Sequence, residues 1–344
     1  MKAKQYMQSL TGLFLVLGCS LGWAQTVKIT PLGSHAGELC FRDRAMIFED
    51  PTGVRILYDA GPSVTGGSDP RLGNVHAVLL SHAHGDHLGN VKMSALDAGT
   101  CEKPDLVSAA PNSTTGEIVA AKNSAIVMVS SMGRFVARKA QNILGKPVAN
   151  CMDEVIVPLS APCVATRNLG GKRSIRATGA SKAVEITIVP ASHASDVPRE
   201  LLSDPQKTNL ATDNVDLELG PPTGFVIAFT NGLKVYLSGD TGIHTEMKTV
   251  VHDFHKVNLA VLNLGDSALA PVPAAHVINQ LIRPSSVIVS HVNEGATAGG
   301  KVKPGTSTRQ FIDRVKGRPV HVPLSGKTME FNGAAKCVSG CSAG

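Results

Sequence analysis

The sequence predicts an α/β protein, an αββα sandwich in which two mixed β-sheets are flanked by outer helices. Three observations carry that expectation. The first half of the chain is strand-rich with hairpins, the second half alternates helix with strand, and no linker-like run divides them. Hydrophobic residues make up 43% and charged residues 17% of the 344, the balance of a folded globular chain.

Taken in order, Val27–Leu32, Ala45–Glu49 and Val54–Tyr58 read as strands, the last two joined through Asp50-Pro51-Thr52-Gly53. Ala77-Val78-Leu79-Leu80 is a short continuous apolar run, the mark of a strand buried on both faces. The stretch from Ser113 to about Leu144 carries helix, and Val155–Leu159 and Val184–Val189 return to strand. Phe225–Thr230 and Leu233–Leu237 flank Asn231-Gly232, the strongest hairpin signal in the chain, because Asn-Gly accepts positive φ angles. Then follow a helix near Thr245–His255, a strand at Leu259–Leu264, a helix at Pro273–Ile282, a strand at Ser286–Val289 and a helix near Thr306–Val315. One domain over residues 25–344 accommodates all of this.

Composition also excludes functions. Gly (34) and Pro (20) are frequent enough for many turns and too few for a collagen-like or low-complexity chain. The formal charge of +6 drops to +4 without Lys2 and Lys4, too mild and scattered for a nucleic-acid surface. Nine Phe, three Tyr and one Trp supply no base-stacking platform. The expected partner is a small-molecule substrate, with no nucleic acid and no stable membrane insertion. Nothing in the sequence sets an oligomeric state.

Residues 1–24 combine Lys2 and Lys4, an apolar run from Leu10 to Leu21 and Gly22-Trp23-Ala24, the three parts of a secretory signal peptide. The apolar core is shorter than the ~20 residues of a membrane span and is interrupted by glycine. Cleavage after Ala24 is expected, and Leu15-Val16-Leu17-Gly18-Cys19 offers lipidation at Cys19 as the rival. Either way the protein is expected to be periplasmic or secreted. Six cysteines remain after Cys19: Cys40, Cys101, Cys151, Cys163, Cys337 and Cys341. An even number in an oxidising compartment reads as up to three disulfides, of 15 possible connectivities. Cys151 with Cys163, and Cys337 with Cys341, are close enough in sequence to pair locally.

The chemistry concentrates in Ser81-His82-Ala83-His84-Gly85-Asp86-His87-Leu88-Gly89-Asn90, directly after the buried strand. Histidines two apart on extended chain project to one side, and a turn at Gly85 brings Asp86 and His87 to a neighbouring point. Imidazole with carboxylate suits zinc, iron or manganese. Further ligand types stand at other strand ends: His193 after Val184–Val189, Asp240 closing Val235-Tyr236-Leu237-Ser238-Gly239, and His291 after Val287-Ile288-Val289-Ser290. Four strands ending this way collect ligands along one edge of the sandwich.

The pattern H-x-H-x-D-H, then a distant His, a Gly-Asp and a terminal His, resembles the metallo-β-lactamase superfamily of metal-dependent hydrolases. The resemblance runs from Gly33-Ser34-His35-Ala36 to Val320-His321-Val322-Pro323. Through Thr223-Gly224-Phe225-Val226-Ile227, Ser238-Gly239-Asp240-Thr241-Gly242 and the unit Pro273–His291 it is most similar to the branch related to ascorbate-phosphate lactonases. It implies a first metal site of His82, His84 and His193, a second of Asp86, His87 and His291, and Asp240 bridging the two. Two zinc ions per chain, with manganese or iron as alternatives, would hold a hydroxide that attacks a small ester or lactone. Asp86 is expected to act in catalysis as well as in metal binding. Asp59 matches an acid that orients a ligand histidine, and a turn-forming Asp accounts for it equally well. A bridging aspartate leans away from the antibiotic-hydrolysing members. A phosphodiesterase on small phosphate or nucleotide compounds is the alternative, and a β-lactamase or a non-catalytic metal-binding protein is further off.

His35, after the first strand, and His244, four residues past Asp240, are the remaining candidates for the catalytic pocket. His76, His252, His255, His276 and His321 read as surface or packing residues. The loops 194–223 and 293–305 are expected to shape specificity; Lys301 and Lys303 near His291 read either as favouring an anion or, as exposed lysines more often are, as solubilising residues.

Overall fold

The computed structural model describes residues 25–265 and 269–342. The expected signal segment and Cys19 lie outside them. Two mixed sheets form the centre. The first runs Cys337–Ser339, Met329–Phe331, Val27–Pro31, Met46–Glu49, Arg55–Tyr58, Ala77–Leu79, Ala125–Val127, Cys163–Val164, Ala149–Asn150. The second runs Val320–His321, Ser286–Ser290, Leu259–Asn263, Lys234–Leu237, Thr223–Ala228, Val184–Pro190, Lys172–Ala177, Glu154–Val157.

Side-chain alternation explains the layers. In Leu259–Asn263, Leu259 and Val261 join one apolar cluster while Ala260 and Leu262 join another. The first cluster links the two sheets, through Phe48, Val78, Phe225 and Ile227, and extends to Ile118 and Val136. Those last two lie on the helices Thr114–Lys122 and Ser130–Leu144, which cover the first sheet. The second cluster joins Tyr236 and Val289 to Val251, Ile278 and Phe311 on the helices beyond the second sheet. A strand buried on both faces reads as a continuous apolar run, and Ser286–Ser290 is buried throughout.

Several elements differ from expectation. The Ser113–Leu144 stretch is two helices separated by the strand Ala125–Val127. The segment Met247–Phe254 is wound as a π-helix, and the helix expected from Pro273 begins as α at Pro271–His276 and continues as π over Val277–Ile282. In the hairpin only Gly232 takes positive φ, while Asn231 accepts Leu233 N–H with its side chain. Lys172–Ala177 was hidden by its charge: Arg173 is buried there, its guanidinium donating to the carbonyls of Ala165, Met152 and Asp153. The loop 194–223 carries the turn Arg199–Leu201 and the helix Asp204–Asp213. Disulfides join Cys40 to Cys101, Cys151 to Cys163 and Cys337 to Cys341. Among the described residues, no helix is long and apolar enough to cross a membrane.

Candidate metal centre

Strand ends build the site. Ala77–Leu79 leads into the buried Ser81 and His82, and the short helix Gly85–Leu88 then turns Asp86 and His87 toward the same edge. Gly239, at φ +61°, breaks the strand direction so that Asp240 points back at the histidines. A Cβ at that glycine would come within 2.6 Å of Thr223 O. His291 follows Ser286–Ser290 at φ +48°, a conformation costly for a non-glycine residue and kept here by the hydrogen bond from its own N–H to Asp43 O (3.0 Å).

All seven expected ligands converge, in two groups. His82, His84 and His193 form one, and Asp86, His87, Asp240 and His291 the other; within each group the ligand atoms lie within 4.8 Å of one another. Asp240 Oδ2 is the hub. It lies 3.2 Å from Nε2 of His87, 3.2 Å from His291, 3.9 Å from His193 and 4.0 Å from His82. Its other oxygen accepts a hydrogen bond from Asn263 Nδ2 at 2.8 Å, which fixes the carboxylate plane.

A chain of hydrogen bonds settles which histidine nitrogens face inward. His87 Nδ1 donates to the buried Asp59 at 2.7 Å, and Ser81 Oγ donates to the same carboxylate oxygen at 2.7 Å. Having given its one proton, Ser81 Oγ accepts from His82 Nδ1 at 3.0 Å. His84 differs: its Nε2 donates to Asp196 at 2.8 Å, so Nδ1 is the nitrogen left for a ligand. Asp59 is thus both of the things the sequence allowed, a turn residue at φ +38° and an orienting acid.

The donor set fits metal ions. Nε2 of His82, His87 and His291 is buried and has no hydrogen-bond partner, an arrangement that is costly unless a cation fills it. The charges agree. Burial opposes ionisation of Asp240, yet His87 and His291 hold its carboxyl well below the usual range. Burial likewise opposes a charged His87, but Asp240, Asp59 and Asp86 outweigh it and push the imidazole up to about 9. His82 goes the other way, lowered by burial and by the neighbouring His87. His87 carries a proton where a cation would sit.

His35 and His244 join neither group. His35 Nδ1 lies 3.1 Å from Ser34 Oγ and His244 Nδ1 lies 3.1 Å from Glu246, and Nε2 of each is buried without a hydrogen-bond partner. Lys303 is paired with Glu102 at 3.0 Å, so it is not a free cation beside His291. Sequence reading missed Asn263, Asp196 and Arg44. Arg44 is buried with Nη1 2.6 Å from Asp86 Oδ2.

An αββα sandwich with paired His/Asp groups at one sheet edge defines the metallo-β-lactamase fold. The chain belongs to the beta-lactamase superfamily domain family, whose profile matches residues 54–292. A UPF0173 metal-dependent hydrolase of Polynucleobacter asymbioticus is 24% identical over 335 residues, 94% of this chain and 95% of that relative. One of Methanosphaera stadtmanae is 26% identical over 216 residues, covering 63% of this chain and 65%, just under two thirds, of its own length. Among solved structures, Igni18, a metallo hydrolase of Ignicoccus hospitalis, aligns at TM-score 0.53 and 20% identity over 89% of this chain and 99% of its own. YhfI of Bacillus subtilis, a metallo-beta-lactamase fold protein, aligns at TM-score 0.50 and 12% identity over the same shares.

Proposed function

We propose that this protein is a metal-dependent hydrolase whose centre holds two divalent cations, zinc first among them, and cleaves a small ester or lactone. One observation carries the reading: a single carboxylate oxygen, Asp240 Oδ2, within 4.0 Å of four histidine Nε2 atoms that follow three different strands. His82, His84 and His193 would hold one ion, Asp86, His87 and His291 the other, and Asp240 both. Two such ions, when bound, would supply an activated water and a polarising charge for the scissile carbonyl, so no Ser or Cys nucleophile would be required. The chain's own work is orientation. Asp59, Ser81, Asp196 and Asn263 fix the rings and the bridging carboxylate before substrate arrives. The relatives named as metal-dependent hydrolases support the class.

The test measures metal stoichiometry and hydrolysis for the parent, Asp240→Ala and His276→Ala, on a panel of lactones, phosphodiesters and β-lactams with zinc, manganese and iron. Asp240→Ala should lose metal and fall by more than the ~100-fold typical of losing an outer partner. His276, exposed at the end of Pro271–His276, is the control that changes neither. Two metals and full activity in Asp240→Ala would end the dinuclear reading. Turnover of phosphodiesters alone would move the substrate class to the alternative.

We also propose export with cleavage after Ala24, supported by the signal-like segment and the three disulfides. Trp23 is the sole tryptophan, so the mature protein should show no tryptophan emission and no titratable thiol. Tryptophan emission, or a lipidated Cys19 at the N-terminus, would refute that cleavage site.

A further inference from the structure

The buried guanidinium of Arg44 belongs to neither ligand group and to none of the orienting contacts of Asp59, Ser81, Asp196 and Asn263. Its only ion-pair partner among the described residues is Asp86, and neither Nη1 nor Nη2 has an aligned hydrogen-bond acceptor. Its Nε donates to Arg42 O at 3.1 Å. A charge buried in this way is poor evidence for a stabilising role, because desolvation works against the attraction it gains. Its placement is nevertheless well prepared. Gly61 carries no side chain, and a Cβ there would meet Asp86 O at 2.5 Å and Arg44 Cδ at 3.1 Å. The same turn that aims Asp59 at His87 therefore leaves room for Arg44 beside Asp86.

The segment that delivers Arg44 also holds the other outlying ligand. Asp43 O accepts His291 N–H, and Arg42 N–H donates to Val292 O at 2.9 Å. Asp43's carboxylate accepts Ser34 N–H and Cys40 N–H at 2.8 Å each, and Cys40 is tied to Cys101. One braced strip thus meets His291 through backbone and Asp86 through a side chain. Asp86 Oδ2 lies 3.3 Å from His291 Nε2, so the guanidinium and the imidazole face the same carboxylate oxygen. Asp86, the ion-pair partner of Arg44, belongs to the second group and not to the first, His82, His84 and His193.

We propose that Arg44 is a positioning residue for the second metal site, holding the Asp86 carboxylate where a second cation needs it. The proposal rests on the two-ion reading of the centre. The experiment titrates the metal-free mature protein with zinc against a competing chelator, for the parent, Arg44→Met, Arg44→Lys, Asp86→Asn and Arg44→Met/Asp86→Asn. The parent should take two equivalents. Arg44→Met should keep the first at parental affinity and bind the second ~10–100-fold more weakly, the usual effect of removing an orienting partner. Arg44→Lys, which restores one cationic donor, should recover most of that loss and shows that the fold tolerates change at this position. In the Asp86→Asn background, Arg44→Met should add no further loss, because the two residues act through one contact. Unchanged or tighter second-ion binding in Arg44→Met, or a fully additive loss in the double variant, would overturn the role of Arg44 while leaving the centre intact. Fewer than two equivalents in the parent would instead overturn the two-ion reading, and the proposal with it.

Discussion

The two ligand groups meet at Asp240, which belongs to the second and lies within 4.0 Å of His82 and His193 in the first. In the first, His82 is fully buried, but His84 and His193 are about a quarter exposed, at 24% and 23%, and His84 leans on Asp196, itself 47% exposed. In the second, the side chains of His87, His291 and Asp240 are 0%, 3% and 7% exposed, Asp86 alone reaches 22%, and both carboxylates of the whole set belong to it. Solvent therefore reaches His84 and His193, and it reaches Asp86 of the second group to a similar extent. The second is a buried, charge-dense site that Asp59, Arg44 and Asn263 hold together. One edge of the sandwich thus builds, partly from the same short segment, a more open face around His84 and His193 and a closed face around His87, His291 and Asp240. Gly85 is the dividing point, where extended chain becomes helix.

Asp59 tests the closed face and carries the largest effect. Its φ of +38° is one that Asn tolerates, so Asp59→Asn should leave the fold intact. His87 would lose its carboxylate partner, and affinity for the second ion should fall ~10–100-fold. The first ion feels Asp59 only through Ser81 and His82, so its loss should be smaller. Equal losses at both sites, measured by chelator competition, would erase the distinction between the faces.

Proton release sharpens the same contrast. His87 is pushed up to about 9 in the metal-free centre, whereas His82 is lowered well below the ordinary imidazole value. At pH 7 His87 is therefore protonated and His82 is neutral. Loading the second site must expel the His87 proton, while His82 has none to give. Calorimetric titration in buffers of different ionisation enthalpy should find about one proton released with the second equivalent at pH 7. The release should fade as pH rises through about 9, where His87 is already neutral, and apparent second-site affinity should weaken as pH falls below it. A release tied to the first equivalent instead would reverse the assignment.

How much of this was legible in the sequence follows from how each residue does its work. His82, His84, Asp86 and His87 declare themselves, because an ordinary solvated loop rarely gathers four ligand types into six positions straight after an apolar strand. His193, Asp240 and His291 were legible through the strands they end. Arg44, Asn263 and Asp196 were not. Each is one common polar residue whose role arises only when distant segments meet: Arg44 reaches Asp86 across 42 positions, and Asp196 reaches His84 across 112. Asn263 was absorbed into the strand Leu259–Leu264 as an interior position, when it in fact ends that strand and faces Asp240. The same limit hid Lys172–Ala177, whose charges mask its alternation until Arg173 finds its carbonyl partners.

Asp196 tests the open face and should matter least. It stands three residues after His193, at the start of the loop that crosses the His-rich segment, where Ser195 Oγ also accepts Ala83 N–H at 3.2 Å. Its bond to His84 Nε2 is short at 2.8 Å, but solvent surrounds the carboxylate, and water can replace it as the acceptor. Exposed ion pairs contribute little on their own, typically ~0–1 kcal/mol. Asp196→Ala should therefore weaken the first ion by less than ~10-fold, since Ser195 still braces the segment, and leave the second ion unchanged. The instructive readout is kinetic. His84 is the most exposed of the ligand histidines, so a ring that swings more freely should lower kcat while KM moves little. A loss as large as that of Asp59→Asn would mean that the exposed face is held as tightly as the buried one, and that openness alone does not divide the centre.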